Sequence, residues 1–194
     1  MACAAVADLD TQLMLRVKEE DTASFELLLN RHRSVVVNYL ARLVHNYGIA
    51  EELAQDVFIR VYRSRQAYEP SAKFTTWLFR ITTNVALNHF RDEQHDKLNV
   101  SLDQESPNSA KRDAPDRRAT AEQILVREDC AREVRQAVQS LPEKQRAAVL
   151  MHKYEEMDYA QISRVLGCSQ SALKALMFRA YETLREKLAH MAPV

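Results

Sequence analysis

The chain has 194 residues, 46% apolar and 28% charged, a composition expected of a soluble globular protein with one ordinary domain or two small ones. Only two glycines and five prolines are available for tight turns, which argues against a sandwich or barrel and for an all-α fold. The 27 basic and 27 acidic residues cancel, so a nucleic-acid surface must be a local patch rather than a basic domain.

From Asp21, Phe25, Leu28, Leu29, Val35, Val36, Tyr39, Leu40, Leu43 and Val44 recur at helical spacing, and Gly48 follows. "IAEELAQDVFIRVYRSRQAY" has the same periodicity through Leu53, Val57, Phe58 and Val61 until "EPSAK" breaks it. Residues 74 to 92, "FTTWLFRITTNVALNHFRD", predict one helix with two apolar stripes, Leu78, Ile81 and Val85 on one and Phe79, Ala86 and Phe90 on the other. A third strip holds Trp77, Arg80, Asn84, Asn88 and Arg91 within roughly 80° of one another. Such side chains stack, hydrogen-bond and pair with phosphate, although a half-buried Trp and two Asn also suit an ordinary surface helix. These segments predict a first helical domain over residues 8–95.

Residues 96–121, with two prolines, mixed charge and almost no large apolar side chains, predict a flexible linker. A second domain is expected over 122–190. Its first helix, "AEQILVREDCAREVRQAVQSL", leads to Ser140 and Glu143, which match a capping box with Pro142 in the first turn. Asp158 and Gln161 match another, flanked by Met157 and Ile162 as a hydrophobic staple. Gly167 ends that helix and Ser169 caps the next, the pattern of a helix-turn-helix. On the last helix Leu173, Met177, Ala180 and Leu184 face one way, and Ser171, Lys174, Ala175, Phe178, Tyr181 and Arg185 the other, a face suited to a major groove.

Cys3, Cys130 and Cys168 lie scattered outside any C-x-x-C, so neither a disulfide framework nor a thiolate metal site is expected, and a reducing cytoplasm fits best. "MACAAVADLD" has no basic start or long apolar core, and no later stretch nears the ~18 apolar residues of a membrane span, so a soluble, unexported chain is expected. The six histidines form no H-x-x-x-H or H-E-x-x-H, and no phosphate loop or nucleophile elbow occurs, which argues against an enzyme and against any bound cofactor.

Taken in order, "EELAQDVFIRVYRS", "KFTTWLFRITTNVALNHFR", the polar tether and "LPEKQRAAVLMHKYEEMDYAQISRVLGCSQSALKALMFRA" resemble an extracytoplasmic-function (group 4) sigma factor of bacterial RNA polymerase. The resemblance spans nearly the whole chain. It implies that Glu52, Gln55, Asp56, Ile59 and Arg63 dock on the clamp of the polymerase largest subunit. It further implies that Tyr68, Lys73, Phe74, Thr76, Trp77, Arg80, Asn84, Asn88 and Arg91 read and melt the minus-ten promoter element. Arg146, Ser169, Ser171, Ala172, Lys174, Ala175, Phe178 and Arg179 would then meet the minus-thirty-five element, with the second domain near the polymerase flap. Where the family commonly has a Gly-Thr pair and a Lys-Ser-Arg run, this chain has "SALKAL", and Ala175 and Leu176 cannot supply polar contacts. An anti-sigma factor is an expected partner, and a monomer is expected for the free chain. A sigma-like mimic that titrates the anti-sigma factor is the alternative reading.

Overall fold

The computed structural model describes residues 8–99 and 121–191, with side chains described over 8–95 and 129–191. Eight α-helices and two short 3-10 turns form these residues, without a strand among them: α1 Leu9–Lys18, α2 Thr22–Val44, α3 Tyr47–Arg63, α4 Phe74–Asn99, α5 Ala121–Gln139, α6 Glu143–Tyr154, α7 Tyr159–Leu166 and α8 Gln170–Lys187. The all-α expectation holds.

Short polar side chains set the helix starts. Asp8 accepts the Thr11 amide at 2.8 Å, and the Thr11 hydroxyl, helped by that amide, holds its carboxyl below the usual range against the cost of burial. Asp21 does the same for Ser24 at 3.2 Å, Asn46 for Ile49 at 3.2 Å and Ser169 for Ala172 at 3.1 Å. The expected capping box of Asp158 and Gln161 forms with both reciprocal bonds. The box expected at Ser140 does not: the Ser140 hydroxyl donates back to the Ala137 carbonyl, and Pro142 stands at the cap of α6 without a side-chain bond. α2 stops at His45, which takes left-handed backbone (φ 59°) and returns its amide to Ala41, so Gly48 lies in the first turn of α3.

The first half is built on α2, whose Leu28, Val36, Leu40 and Leu43 are buried with Ala54, Val57 and Val61 of α3 and Leu78, Phe79, Val85 and Ala86 of α4. Two buried threonines of α4 are paired, with Thr83 3.1 Å from the Tyr39 hydroxyl and Thr82 donating to the Leu78 carbonyl. α1, with Leu13, Met14 and Val17 buried, packs on α2.

In the second half α7 and α8 are joined by Gly167 (φ 63°), Cys168 and Ser169 and pack with α6 through Leu150, Met151, Ile162, Val165, Leu173 and Met177. The two halves also pack on each other: α7 lies on α4, α6 lies on α2 and α4, and one apolar core runs through both. α4 continues to Asn99 and α5 starts at Ala121; positions 100–120 of the expected linker lie outside the described residues.

Candidate nucleic-acid interface

The two apolar stripes of α4 point inward, and that orientation turns the third strip outward. Arg80, Asn84 and Arg91 are exposed, while Trp77 and Asn88 are half-buried. Arg91 donates to the Asn88 side-chain oxygen, so the amide and the guanidinium are held as a unit. Trp77 rests edge-on against Tyr68 at 5.0 Å between ring centroids, with Phe74 at 6.0 Å. One face of an otherwise bulky ring is therefore fixed from below.

Three residues expected in the strip or its loop are interior instead. Tyr68 is fully buried, Phe74 is 1% exposed and Thr76 4%. The Tyr68 hydroxyl donates to Thr11 at 3.4 Å, its carbonyl accepts Lys18 at 3.2 Å, and Phe74 packs against His32 at 5.3 Å. These large rings serve as the floor under Trp77, because an apolar ring at the foot of α4 gains more from burial than from solvent. Lys73 is exposed beside them.

On α3, Glu52, Gln55, Ile59 and Arg63 form an exposed face with Asp56 half-buried among them, and Ile59 is 49% exposed. Asp56 pairs with Arg60 one turn on at 2.8 Å. Beside this face an apolar groove of about 480 Å³ runs between α2 and α3, lined by Phe25, Leu29, Val37, Ala54, Phe58 and Ile59. Sequence periodicity could not find the groove, since its two walls come from different helices.

On α8 the expected outward face is outward. Ser169, Ser171, Ala172, Lys174, Ala175, Phe178 and Arg179 are all exposed, Phe178 at 66%. Phe178 is thus a large apolar ring in water, with Lys174 and Arg179 exposed on the same face. Arg146 differs from its expected place on DNA. Its guanidinium donates to the carbonyls of Leu43 (2.8 Å), Gln139 (2.8 Å) and Leu141 (3.1 Å) and lies 5.7 Å from the Phe90 ring. It thus satisfies carbonyls at the C-terminal ends of α2 and α5, which have no partner inside their own helices.

Two family models match the chain: Sigma-70 region 2 over residues 28–95 and Sigma-70 region 4 over residues 131–184. The RNA polymerase sigma factor CarQ of Myxococcus xanthus is 34% identical over 179 residues, spanning 92% of this chain and 97% of that protein. The chain belongs to the sigma-70 family, in its extracytoplasmic-function branch. The extracytoplasmic-function sigma-E factor of Haemophilus influenzae is 28% identical over 184 residues, with 92% of this chain and 95% of that one covered. In fold, this sigma factor is similar to a chain of the co-crystal structure of RpoE with the anti-sigma factor NepR from Bartonella quintana, with a TM-score of 0.63, 20% identity and coverage of 85% and 96%. Both faces built above fall inside the matched regions, the third strip of α4 in region 2 and the outer face of α8 in region 4. Among the described residues of this sigma factor no helix is long and apolar enough to cross a membrane, and no cluster of metal-ligating side chains is found.

Proposed function

We propose that this sigma factor binds core RNA polymerase through the α3 face and directs it to promoters through two DNA surfaces, performing no covalent chemistry itself. The observation that carries this reading is the outward strip of Trp77, Arg80, Asn84, Asn88 and Arg91 in a neutral chain. An unpaired base gains ~1–3 kcal/mol by stacking on an aromatic ring, an amide can take a flipped base edge, and guanidinium groups hold the backbone. Melting the minus-ten element exposes those partners. Clamp binding is assigned to Glu52, Gln55, Asp56, Ile59 and Arg63, whose acidic and apolar mix suits a basic, amphipathic partner helix.

At the upstream element Lys174 and Arg179 meet phosphate or base edges, Ser169 and Ser171 donate to the backbone, and Phe178 supplies apolar contact. Ala175 and Leu176 offer no hydrogen bond, so this element is read with fewer direct contacts. Arg146 reaches DNA only after leaving the Leu43 carbonyl. Control by an anti-sigma factor is part of the proposal, supported by the fold neighbour whose complex with NepR is solved. The protein acts in the cytoplasm, as a monomer when free.

Run-off transcription with bacterial core polymerase on genomic fragments tests the reading. Discrete start sites that depend on this protein and share two upstream elements are expected. Tight binding to core without any start would reject promoter selection.

A further inference from the structure

α1 lies outside residues 28–95, over which the region 2 model matches, yet both of its ends reach the rings beneath the third strip. At its C-terminal end the Lys18 ammonium donates to the Tyr68 carbonyl at 3.2 Å, and the Lys18 carbonyl accepts the Gln66 side-chain amide at 2.9 Å. That carbonyl belongs to the last turn of a helix, where carbonyls lack an internal partner, so one residue is tied to the 65–68 turn in both directions. Glu20, just past the helix, pairs with Arg65 at 3.6 Å. At the N-terminal end Asp10 meets the His32 ring nitrogen at 2.9 Å, and His32 packs on Phe74 at 5.3 Å. Tyr68 and Phe74 in turn flank Trp77, at 5.0 and 6.0 Å. Leu13, Met14 and Val17 are buried, so α1 is itself anchored on α2.

We infer that α1 is the positioning element of the minus-ten surface, with Lys18 holding Tyr68, and Asp10 holding Phe74 through His32, so that the Trp77 ring is presented in one place. The inference rests on the strand-binding reading of Trp77 and gives α1 a part in promoter opening without a DNA contact. The loop from Glu69 to Lys73 has little to fix it locally: Pro70 lacks an amide hydrogen, and Glu69, Pro70, Ser71 and Lys73 are exposed. The Ser71 amide bonds to the Glu69 carbonyl at 2.8 Å, but that bond spans only two residues and ties the loop to nothing else. Burial of the rings is non-directional and lets them slide over one another, whereas a charged donor on a carbonyl fixes a point. Lys18 supplies that point, and its half-buried stem keeps the ammonium from wandering. A ring already in place when the strand arrives avoids the ordering cost of binding.

Trp77 is the single tryptophan of the chain, so its fluorescence reads the ring directly. Lys18→Met keeps the apolar stem and removes the donor. In the full chain it should raise acrylamide quenching of Trp77. With core polymerase it should lower occupancy of a promoter found by run-off mapping about 2- to 10-fold, the factor for one newly freed side chain, while core affinity stays unchanged. Lys18→Arg, which keeps a cationic donor, should restore both readings. Asp10→Ala, at the other end of α1, should raise quenching as well. If Lys18 acts through Trp77, the two positions are coupled: in a Trp77→Ala background Lys18→Met should lower promoter occupancy no further. Additive losses would mean that Lys18 meets phosphate itself, unchanged quenching that packing alone holds the ring, and a matching loss of core affinity that the whole domain is destabilised. Each of these would overturn the inference. Wild-type starts that persist while Lys18→Met changes neither quenching nor occupancy would sink it and leave the proposed function standing; a wild type without starts would sink the proposed function, and the inference with it.

Discussion

His45 combines two costs in one residue. Its backbone is left-handed, which a β-carbon disfavours, and its Nε2 is buried without a partner among the described residues. Burial, reinforced by the Arg146 charge, pushes its pKa down from 6.5 to about 4. Between those two values the unfolded chain binds the proton and the folded one does not, so stability falls as pH drops through that window. Glu155 works in the opposite sense, since burial raises its carboxyl and its charge costs the folded state as pH rises above 4.5, partly relieved by Arg42. Asn accepts left-handed backbone more readily than His and does not titrate, so His45→Asn should be at least as stable at neutral pH and lose less stability on acidification. The wild type should lose roughly 2–4 °C of Tm for each kcal/mol that protonation costs, and equal acid slopes for both proteins in thermal melts would reject the assignment.

At the scale of the helix, single faces carry single tasks. Asp56→Arg removes only an exposed i,i+4 pair worth ~0.3–0.5 kcal/mol, so Tm should barely move. Core polymerase affinity should nevertheless fall more than about tenfold, because a reversed charge at the centre of an interface costs several kcal/mol. Pull-down and melting curves read the two separately, and retained affinity would move the clamp contact off α3. Legibility divides along the same lines. The start of α7 and the turn from Gly167 to Ser169 were readable because their caps are local, within three residues of the helix they open or close. α1 was not singled out, since its ten residues hold a short apolar face that only packing on α2 makes decisive. The outward strip of α4 followed from its period, but the same period could not tell that Tyr68, Phe74 and Thr76 sit below it. Arg146 was the least readable, because its bond to Leu43 joins residues 103 apart in sequence.

The whole molecule is closed, and on the proposed function it cannot work closed. Elements centred ~25 base pairs apart lie ~85 Å apart at 3.4 Å per step, whereas a compact chain of this length has a radius of gyration near ~16 Å. The two halves must therefore separate when both elements are bound, and the contacts between α2 or α4 and α6 or α7 oppose that step. Arg42 of α2 is an accessible tie across the seam, with its guanidinium 4.3 Å from the Tyr154 ring and its charge favouring the Glu155 carboxylate. Arg42→Glu replaces a cation–π contact of ~0.5–2 kcal/mol with repulsion against Glu155, and neither residue belongs to a proposed DNA surface. Small-angle scattering should show a larger radius for the variant. Affinity of the variant–polymerase complex for a promoter with both elements should rise, since less binding energy is spent on opening. An unchanged radius would mean that other seam contacts suffice to hold the halves. A larger radius without tighter promoter binding would mean that polymerase, rather than this seam, sets the cost of opening.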